Sequence, residues 1–375
     1  DRAAALGYLQ THGALVCTDP SVWLETLVLT SRLGLPLGPR IAVVAAPGSL
    51  IAGQANSLAR EHALSGARFA PTVDEAADEG HDAVLVDMGC IDANTPEHVG
   101  GALVVPVGTR GELATAGRPA LIDLRHAMTA VSLAGELAVR LDAGLGPGPD
   151  APPASVDPDL DRFNRQLRKL GPRGGDHETK VLLSSYGIEV TRQAVATTPS
   201  AATRIAKKAG FPVDVKAWGP DVPSVADGCP VETGVDTAAD VRRAFAAATA
   251  ELDLPAGAAV IVRASPPRGR ELRARLTDLP ELGWTLTVRI PGQPEPVAAP
   301  APLSSYDSQR LASFVAATRK GDKALDSAAL ADLLLRASYL VWAHGDQLES
   351  LDLGRVILST DDGSVLVADA SCTTR

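Results

Sequence analysis

Aromatic rings are scarce in this chain: Phe, Trp and Tyr together supply 3% of its 375 residues. Ala, Val and Leu must therefore fill the cores, and a single-strand binder that stacks bases on rings is disfavoured. Positive charge is also in deficit, with a formal net charge of −10. A duplex binder needs a dense cationic face to displace counterions. Arg268, Arg270, Arg273 and Arg275 do cluster, but acidic residues surround them, so no nucleic-acid partner is expected. The four cysteines, Cys17, Cys90, Cys229 and Cys372, lie far apart and form no CxxC pair. That argues against a zinc site and a disulfide framework, and for idle thiols in a reducing cytoplasm. No apolar run reaches the roughly 20 residues of a bilayer span. Asp1-Arg2-Ala3 has no basic region leading into an apolar one, so no secretory leader is expected. The sequence opens on Asp1 rather than Met, which leaves room for a preceding segment.

What is present is an ordinary globular balance of 45% hydrophobic and 21% charged residues. The length favours roughly two or three compact domains. Gly144 to Pro158 reads GLGPGPDAPPASVDP, a stretch that propagates neither helix nor ladder and reads as an interdomain linker. Pro291 to Pro302, a second Pro-rich stretch, reads as a long loop inside the second half. Before the linker, short apolar runs at Arg40–Ala45, Asp82–Asp87 and Ala102–Pro106, with a weaker one at Pro119–Asp123, alternate with helical segments such as 50–64. Buried strands separated by helices imply a parallel sheet covered on both faces, a doubly wound, flavodoxin-like α/β domain.

The order changes after the linker. Asp176 can cap a helix that ends at Tyr186-Gly187, and Ser200 a second one that ends at Gly210. Phe211 to Lys216 reads as a strand with Lys216 at its end, and Thr237 or Asp236 starts a further helix. Leu272–Leu276 and Thr285–Ile290 alternate like antiparallel strands, and Ser327–Val341 is helical. Val356–Leu358 and Val365–Val367 flank Asp361-Asp362-Gly363, a hairpin with turn chemistry. This is α+β order.

In that sequence of elements, Lys180-Val181-Leu182-Leu183-Ser184-Ser185-Tyr186-Gly187-Ile188, Phe211-Pro212-Val213-Asp214-Val215-Lys216, Ser350–Val356 and Val367-Ala368-Asp369-Ala370 stand out. They resemble the E-x-x-x-L-x-x-Y-G-I, Y-P-V-V-L-K, E-L-D-I-N-P-L and L-x-D-A segments of the NDP-forming acyl-CoA synthetases, relatives of succinyl-CoA synthetase. Thr11-His12-Gly13-Ala14-Leu15 is more loosely similar to the S-H-T-G-A-L segment of that family. The resemblance implies a flavodoxin-like domain at 1–145, a linker at 146–172, and an ATP-grasp domain with a small subdomain at 173–235 and a large one at 236–375. The family's leading CoA-binding Rossmann domain has no counterpart in these residues.

The same resemblance assigns roles. Lys216 would offer a point charge to nucleotide phosphates; as plain sequence it is equally a lysine leaving a strand into solvent. Asp369 stands where a magnesium carboxylate belongs, Gly354 where the family has asparagine, and Asp352 is the nearby substitute, unless it is a solvated surface aspartate. Glu271 matches an adenine-side glutamate. The phosphate loop H-K-S-D-x-G-G-V has become Ser224–Val231, which keeps only Asp227 and Val231. The relay histidine's column holds Thr11, with His12 one residue late; a one-residue deletion would restore His12 as the phosphorylated nucleophile, whereas a surface histidine at a turn needs none. His126, His177 and His344 have no stronger claim. Two functions follow. One is an enzyme interconverting acyl-CoA, ADP and phosphate with carboxylate, CoA and ATP, using Mg2+. The other is a pseudoenzyme serving as scaffold or regulatory partner of an active synthetase. Relatives assemble from several chains or fused copies, so a homo- or hetero-oligomer is expected.

Overall fold

The apolar runs of the first half form strands whose every residue is buried. These are β1 (Ile41–Val44), β3 (Ala83–Asp87) and β5 (Ala102–Val107), joined by β2 (Ala67–Phe69) and β4 (His98–Val99). The computed structural model describes residues 2–60, 67–69, 72–78, 80–91, 94–108, 119–149, 152–219, 222, 229, 231–250, 259–316 and 327–375. The strand order is β2-β1-β3-β5-β4, parallel throughout except for the β4–β5 pair. Alternate side chains serve the two faces. Ile41, Val43, Leu85, Leu103 and Val105 pack with Ile51, Ala55 and Leu58 of α3 (Leu50–Arg60) and with the apolar side of α5 (Leu124–Ala143). Ala42, Val44, Val84, Val86 and Val104 pack with Ala76 of α4 (Val73–Asp78). This is the doubly wound arrangement expected from uninterrupted apolar strands. Helix α2 (Pro20–Val28) is started by the Asp19 carboxylate, which accepts from the Ser21 amide.

This unit spans His12–Gly146; Asp1–Thr11 and Pro147–Arg375 form the other. The first helix, α1 (Arg2–Thr11), therefore does not belong to the flavodoxin-like unit, as 1–145 would have it. It packs on β13 (Val297–Pro300), where a Cβ at Gly7 would fall 2.1 Å from the Ala298 carbonyl oxygen. Glycine is what permits that approach. The stretch 291–302, read as a loop, thus contains an edge strand, where Pro300 is tolerated because its missing N–H faces no partner strand.

The presumed linker at 146–172 is also built into the second unit. Val156 and, from α6 (Leu160–Leu167), Phe163 and Leu167 are buried in the larger core. Tyr339 donates to the Pro149 carbonyl at 3.0 Å. Density in Gly and Pro masked these spaced apolar anchors.

The second unit has two lobes. One is a four-stranded antiparallel sheet, β7-β10-β8-β9, from β7 (Gln193–Ala196), β8 (Val213–Trp218), β9 (Val231–Val235) and β10 (Ala259–Ala264). Helices α8 (Pro199–Ala209) and α9 (Ala238–Ala250) cover one face, burying Val213, Val215, Val260 and Val262. The lobe thus runs past residue 235, because β10 is one of its two inner strands. Thr198, not Ser200, caps α8, with Pro199 at its first position. The other lobe is a six-stranded sheet, β13-β12-β11-β14-β15-β6, built from β6 (Arg173–Gly174), β11 (Gly269–Leu279), β12 (Gly283–Arg289), β14 (Leu348–Ser359) and β15 (Val365–Thr374). Its core face packs with α7 (Asp176–Ser185), α10 (Ser305–Ala316) and α11 (Ala328–Ala343). Among the described residues no helix is long and apolar enough to cross a membrane.

The Gly7 contact yields a stability prediction. Gly7→Leu forces α1 off the sheet edge or displaces Ala298, at a cost of about 1–3 kcal/mol. The variant should melt several degrees lower, and an unchanged melt would show that α1 does not depend on this contact.

Candidate functional site

The second unit's chemistry gathers where the free face of the small sheet meets β15 and α7. In β8 the alternation Val213-Asp214-Val215-Lys216 sends the valines under the helices and the two charged side chains to the opposite face. β10 repeats the device with Val262 and Arg263, and Arg263 stands opposite Asp214 in the ladder. Lys216 lies within β8 rather than at its end and is 4% exposed; Arg263 is 1% exposed and Asp214 2%. From the large lobe come Asp369 on β15 and, from the first turn of α7, Asp176 with Lys180 one turn later. Gly175 holds the cap position, so Asp176 does not cap α7; its carboxylate turns into this cluster instead.

The contacts form one network. Lys216 Nζ lies 2.8 Å from Asp176 Oδ2 and 2.9 Å from Asp369 Oδ1. Arg263 Nη1 reaches the same Asp369 oxygen at 2.7 Å and also donates to the Ala368 carbonyl, while its Nε meets Asp214 Oδ2 at 3.1 Å. Lys180 Nζ lies within hydrogen-bond distance of four acceptors that share its N–H groups: Asp176 Oδ2 at 3.1 Å, Thr191 Oγ1 at 2.7 Å, Gln193 Oε1 at 2.8 Å and the Ala368 carbonyl at 2.6 Å. The carboxylates have backbone donors too. Asp214 Oδ1 takes the Gly234 amide at 3.1 Å, and Asp176 Oδ1 the Ala370 amide at 2.9 Å. With Lys180 protonated, three cations (Lys180, Lys216, Arg263) face three carboxylates (Asp176, Asp214, Asp369) and the buried cluster is formally neutral.

Burial works against charge here, and the partners decide the outcome. Asp176 would be raised by desolvation, but Lys180 and Lys216 outweigh it and hold the carboxyl at about 2. Lys180 goes the other way: desolvation, with Lys216 and Arg263 beside it, brings the amine down to about 7 against the pull of Asp176. Removing ions from water costs several kcal/mol each, so the cluster holds only as a complete set.

The sequence-derived residues fall unevenly around this cluster. Lys216 and Asp369 are brought into contact. Glu271 is not part of it; it is exposed on β11 and bonded to Arg355. Asp352 flanks the position of Gly354, where a Cβ would lie 3.9 Å from Asp352 Oδ1 and 3.8 Å from the Asp369 Cβ. His12 is an exposed residue of the turn after α1, in the other unit. Asp227 lies outside the described residues. Asp176, Lys180, Asp214 and Arg263 were missed, although two signals were available: the i,i+4 acid–base spacing of Asp176 and Lys180, and the charges Asp214 and Arg263 inside the apolar runs VDVK and VIVRA.

A magnesium site fits this donor set poorly. Asp369 Oδ1 is occupied by two cations, Gly354 supplies no oxygen, and among the described residues no three Asp, Glu, His or Cys side chains converge as a metal cluster. Asp369 Oδ2 is a remaining acceptor, buried without a partner among the described residues. The phosphate-directed charge is likewise engaged, since Lys216 is bonded to two carboxylates.

The two shifted groups set opposite limbs of the pH–stability profile. Asp176 titrates lower in the folded than in the unfolded chain, so its contribution is present above about pH 4 and is lost as pH falls towards 2, on the order of 2 kcal/mol. Lys180 also titrates lower when folded. Between about pH 7 and 10 the unfolded chain holds more protons, so stability rises with pH there. Urea midpoints across pH 2–10 should show both limbs. Lys180→Met should flatten the alkaline one, and Asp176→Asn should lower stability at pH 7 by about 3–5 kcal/mol. An unchanged midpoint in Asp176→Asn would contradict the network.

Known proteins align with this geometry. The ATP-grasp domain family matches residues 173–373. The acetate–CoA ligase (ADP-forming) I of Archaeoglobus fulgidus is 27% identical over 258 residues, covering 65% of this chain and 37% of that protein's length. The beta subunit of acetate–CoA ligase (ADP-forming) II of Pyrococcus furiosus is 23% identical over 210 residues, covering 52% of this chain and 89% of the subunit. Among solved structures, the dinucleotide-forming acetyl-coenzyme A synthetase 1 of Ca. Korarchaeum cryptofilum, in complex with coenzyme A and Ca-AMPCP, superposes with a TM-score of 0.51 and 24% identity. It covers 57% of this chain and 99% of its own. With more than half of its length matched by the ATP-grasp domain, and with ADP-forming acetate–CoA ligases as relatives, this chain belongs to the NDP-forming acyl-CoA synthetase family.

Proposed function

We propose that this chain is a catalytically silent member of its family, which keeps the ATP-grasp fold as a scaffold or regulatory partner for an active acyl-CoA synthetase. The observation that carries this reading is the mutual engagement of Lys216 and Asp369, completed by Arg263. In an active member a lysine would meet phosphate and a carboxylate would meet Mg2+, with ATP or ADP, an acyl-CoA or its carboxylate, and CoA as reactants. Here the two groups neutralise one another. A divalent cation approaching Asp369 meets the Arg263 guanidinium at the same oxygen, and phosphates approaching Lys216 meet the Asp176 and Asp369 carboxylates. The sequence adds to this: Gly354 replaces an oxygen ligand, and the loop at 224–231 lacks the His, Lys and paired glycines of its relatives. Each lost charge-directed contact removes about a hundredfold in rate, so several together abolish phosphoryl transfer. His12, one residue off the relay column, then carries no phosphate.

Isothermal titration with MgATP at millimolar concentration, beside a coupled assay with acetyl-, propionyl- and succinyl-CoA, should give neither binding nor turnover. Turnover, or MgATP binding abolished by Lys216→Ala, would overturn the proposal in favour of the enzyme. A gain-of-function arm sharpens the test. A Cβ at Gly354 meets only ordinary contacts of 3.7 Å or more. The double variant Arg263→Gln/Gly354→Asn leaves the cluster one cation short and adds an oxygen ligand; where a cooperative melt shows that it still folds, it should acquire measurable Mg-ADP affinity.

A further inference from the structure

The flavodoxin-like unit leaves an apolar helix face bare. In α2 (Pro20–Val28) Val22, Glu25 and Thr26 are buried, while Trp23, Leu24 and Leu27 are 54%, 56% and 49% exposed. Residues three and four apart share a helix face, so these three side chains form one patch. Scattered exposed apolar residues are ordinary, but a contiguous patch headed by a tryptophan marks an interaction surface. The helix cannot roll to hide it. Glu25 Oε1 accepts the Ile122 amide at 2.8 Å, just before α5, and rolling α2 would strip that amide of its acceptor. Ile122, itself exposed, extends the apolar surface beside the helix.

Opposite charges stand at the two ends of this face. Asp19, its side chain 51% exposed, precedes the helix. After the helix, Leu29–Leu33 forms a π-helical turn, closed by the Gly34 amide donating to the Leu29 carbonyl at 2.8 Å. The wider turn slows the rotation of the chain and returns the exposed Arg32 to the side of Leu24 and Leu27. The pattern is self-complementary. Asp19 and Arg32 are equidistant in sequence from the Glu25–Thr26 bond, and so are Leu24 and Leu27.

We propose that α2 is the contact of a homodimer, in which two copies of the helix pack antiparallel about a twofold axis over Glu25–Thr26. Leu24 of one copy then meets Leu27 of the other beneath the two Trp23 rings, and Asp19 of each copy faces the partner's Arg32. A second copy matches the leucine spacing and the order of charges by symmetry; an unrelated partner matches them only with a surface built to do so. Half-exposed Trp and Leu side chains of this kind offer on the order of 300 Å² of apolar surface per copy. With a polar rim the pair buries roughly 1,000 Å² in total, at the low end of specific interfaces, so the dimer is reversible and of micromolar affinity. The patch shares no residue with the Lys216–Asp369 network, so it stands or falls separately from the absence of catalysis.

The test is sedimentation equilibrium of the full chain at concentrations that bracket a micromolar Kd. The parent should pass reversibly from monomer to dimer and stop there. Leu24→Glu and Leu27→Lys should each weaken association roughly tenfold or more, because each buries an unpaired charge against a leucine. Both positions are exposed in the monomer, so each variant, diluted below the dissociation range, should melt with the parent. Mixed in equal amounts, the two variants should re-form dimers, since the glutamate of one then meets the lysine of the other. Arg32→Glu should weaken the dimer more at low salt than at high salt. A parent that stays monomeric, or association untouched by Leu24→Glu, would overturn the proposal. So would a mixture no better than its components, or growth past the dimer, which marks a head-to-tail contact.

Discussion

The Lys216 ammonium, held between the Asp176 and Asp369 carboxylates, is the interaction on which the second unit depends. It joins a strand of the small lobe to a strand and a helix of the large one, in surroundings from which water is largely gone. Arg263 and Lys180 extend the same contact, and both donate to the Ala368 carbonyl. Because the ions are buried, the cluster is all-or-none: each charge is tolerable only while its partners are present. Three cations against three carboxylates leave no surplus for a visitor.

Under the proposed reading, that neutrality separates the fold from the chemistry its relatives are named for. A two-lobed clamp around phosphate needs positive charge that faces the ligand, and a metal needs carboxylate oxygens that face the metal. In this chain the lysine and the carboxylate face each other. Asp214, where the family's Y-P-V-V-L-K motif has valine, and Arg263 across the ladder from it form a second pair beside the first. Together they convert a polar cleft into an internal tie.

The sequence was legible where local physics decides structure. The uninterrupted apolar runs Ile41–Val44 and Ala83–Asp87 became buried parallel strands because both faces of such a strand must be covered. Gly187 and Gly210 ended their helices in positive-φ conformations, and the alternation in Leu272–Leu276 became a two-faced antiparallel strand. Legibility failed where one composition permits two environments. Pro-rich 146–172 looked like linker, yet Val156, Phe163 and Leu167 reach the core. Asp176 looked like a helix cap, because an aspartate before an apolar helix usually is one. Its partner Lys216 lies 40 residues on, beyond the reach of any local pattern.

By itself, the sequence determined the order of elements and the two sheet types, since strand alternation and helix stops are short-range properties of the chain; what it offered for Lys216 and Asp369 was a resemblance to family motifs. Only the tertiary structure decided what those two residues do. Whether a lysine and an aspartate 153 positions apart await a ligand or satisfy each other depends on which charges the fold places within about 3 Å of them. Coulomb energy in a buried site is set by that distance and by exclusion of water, neither of which is written in the order of residues.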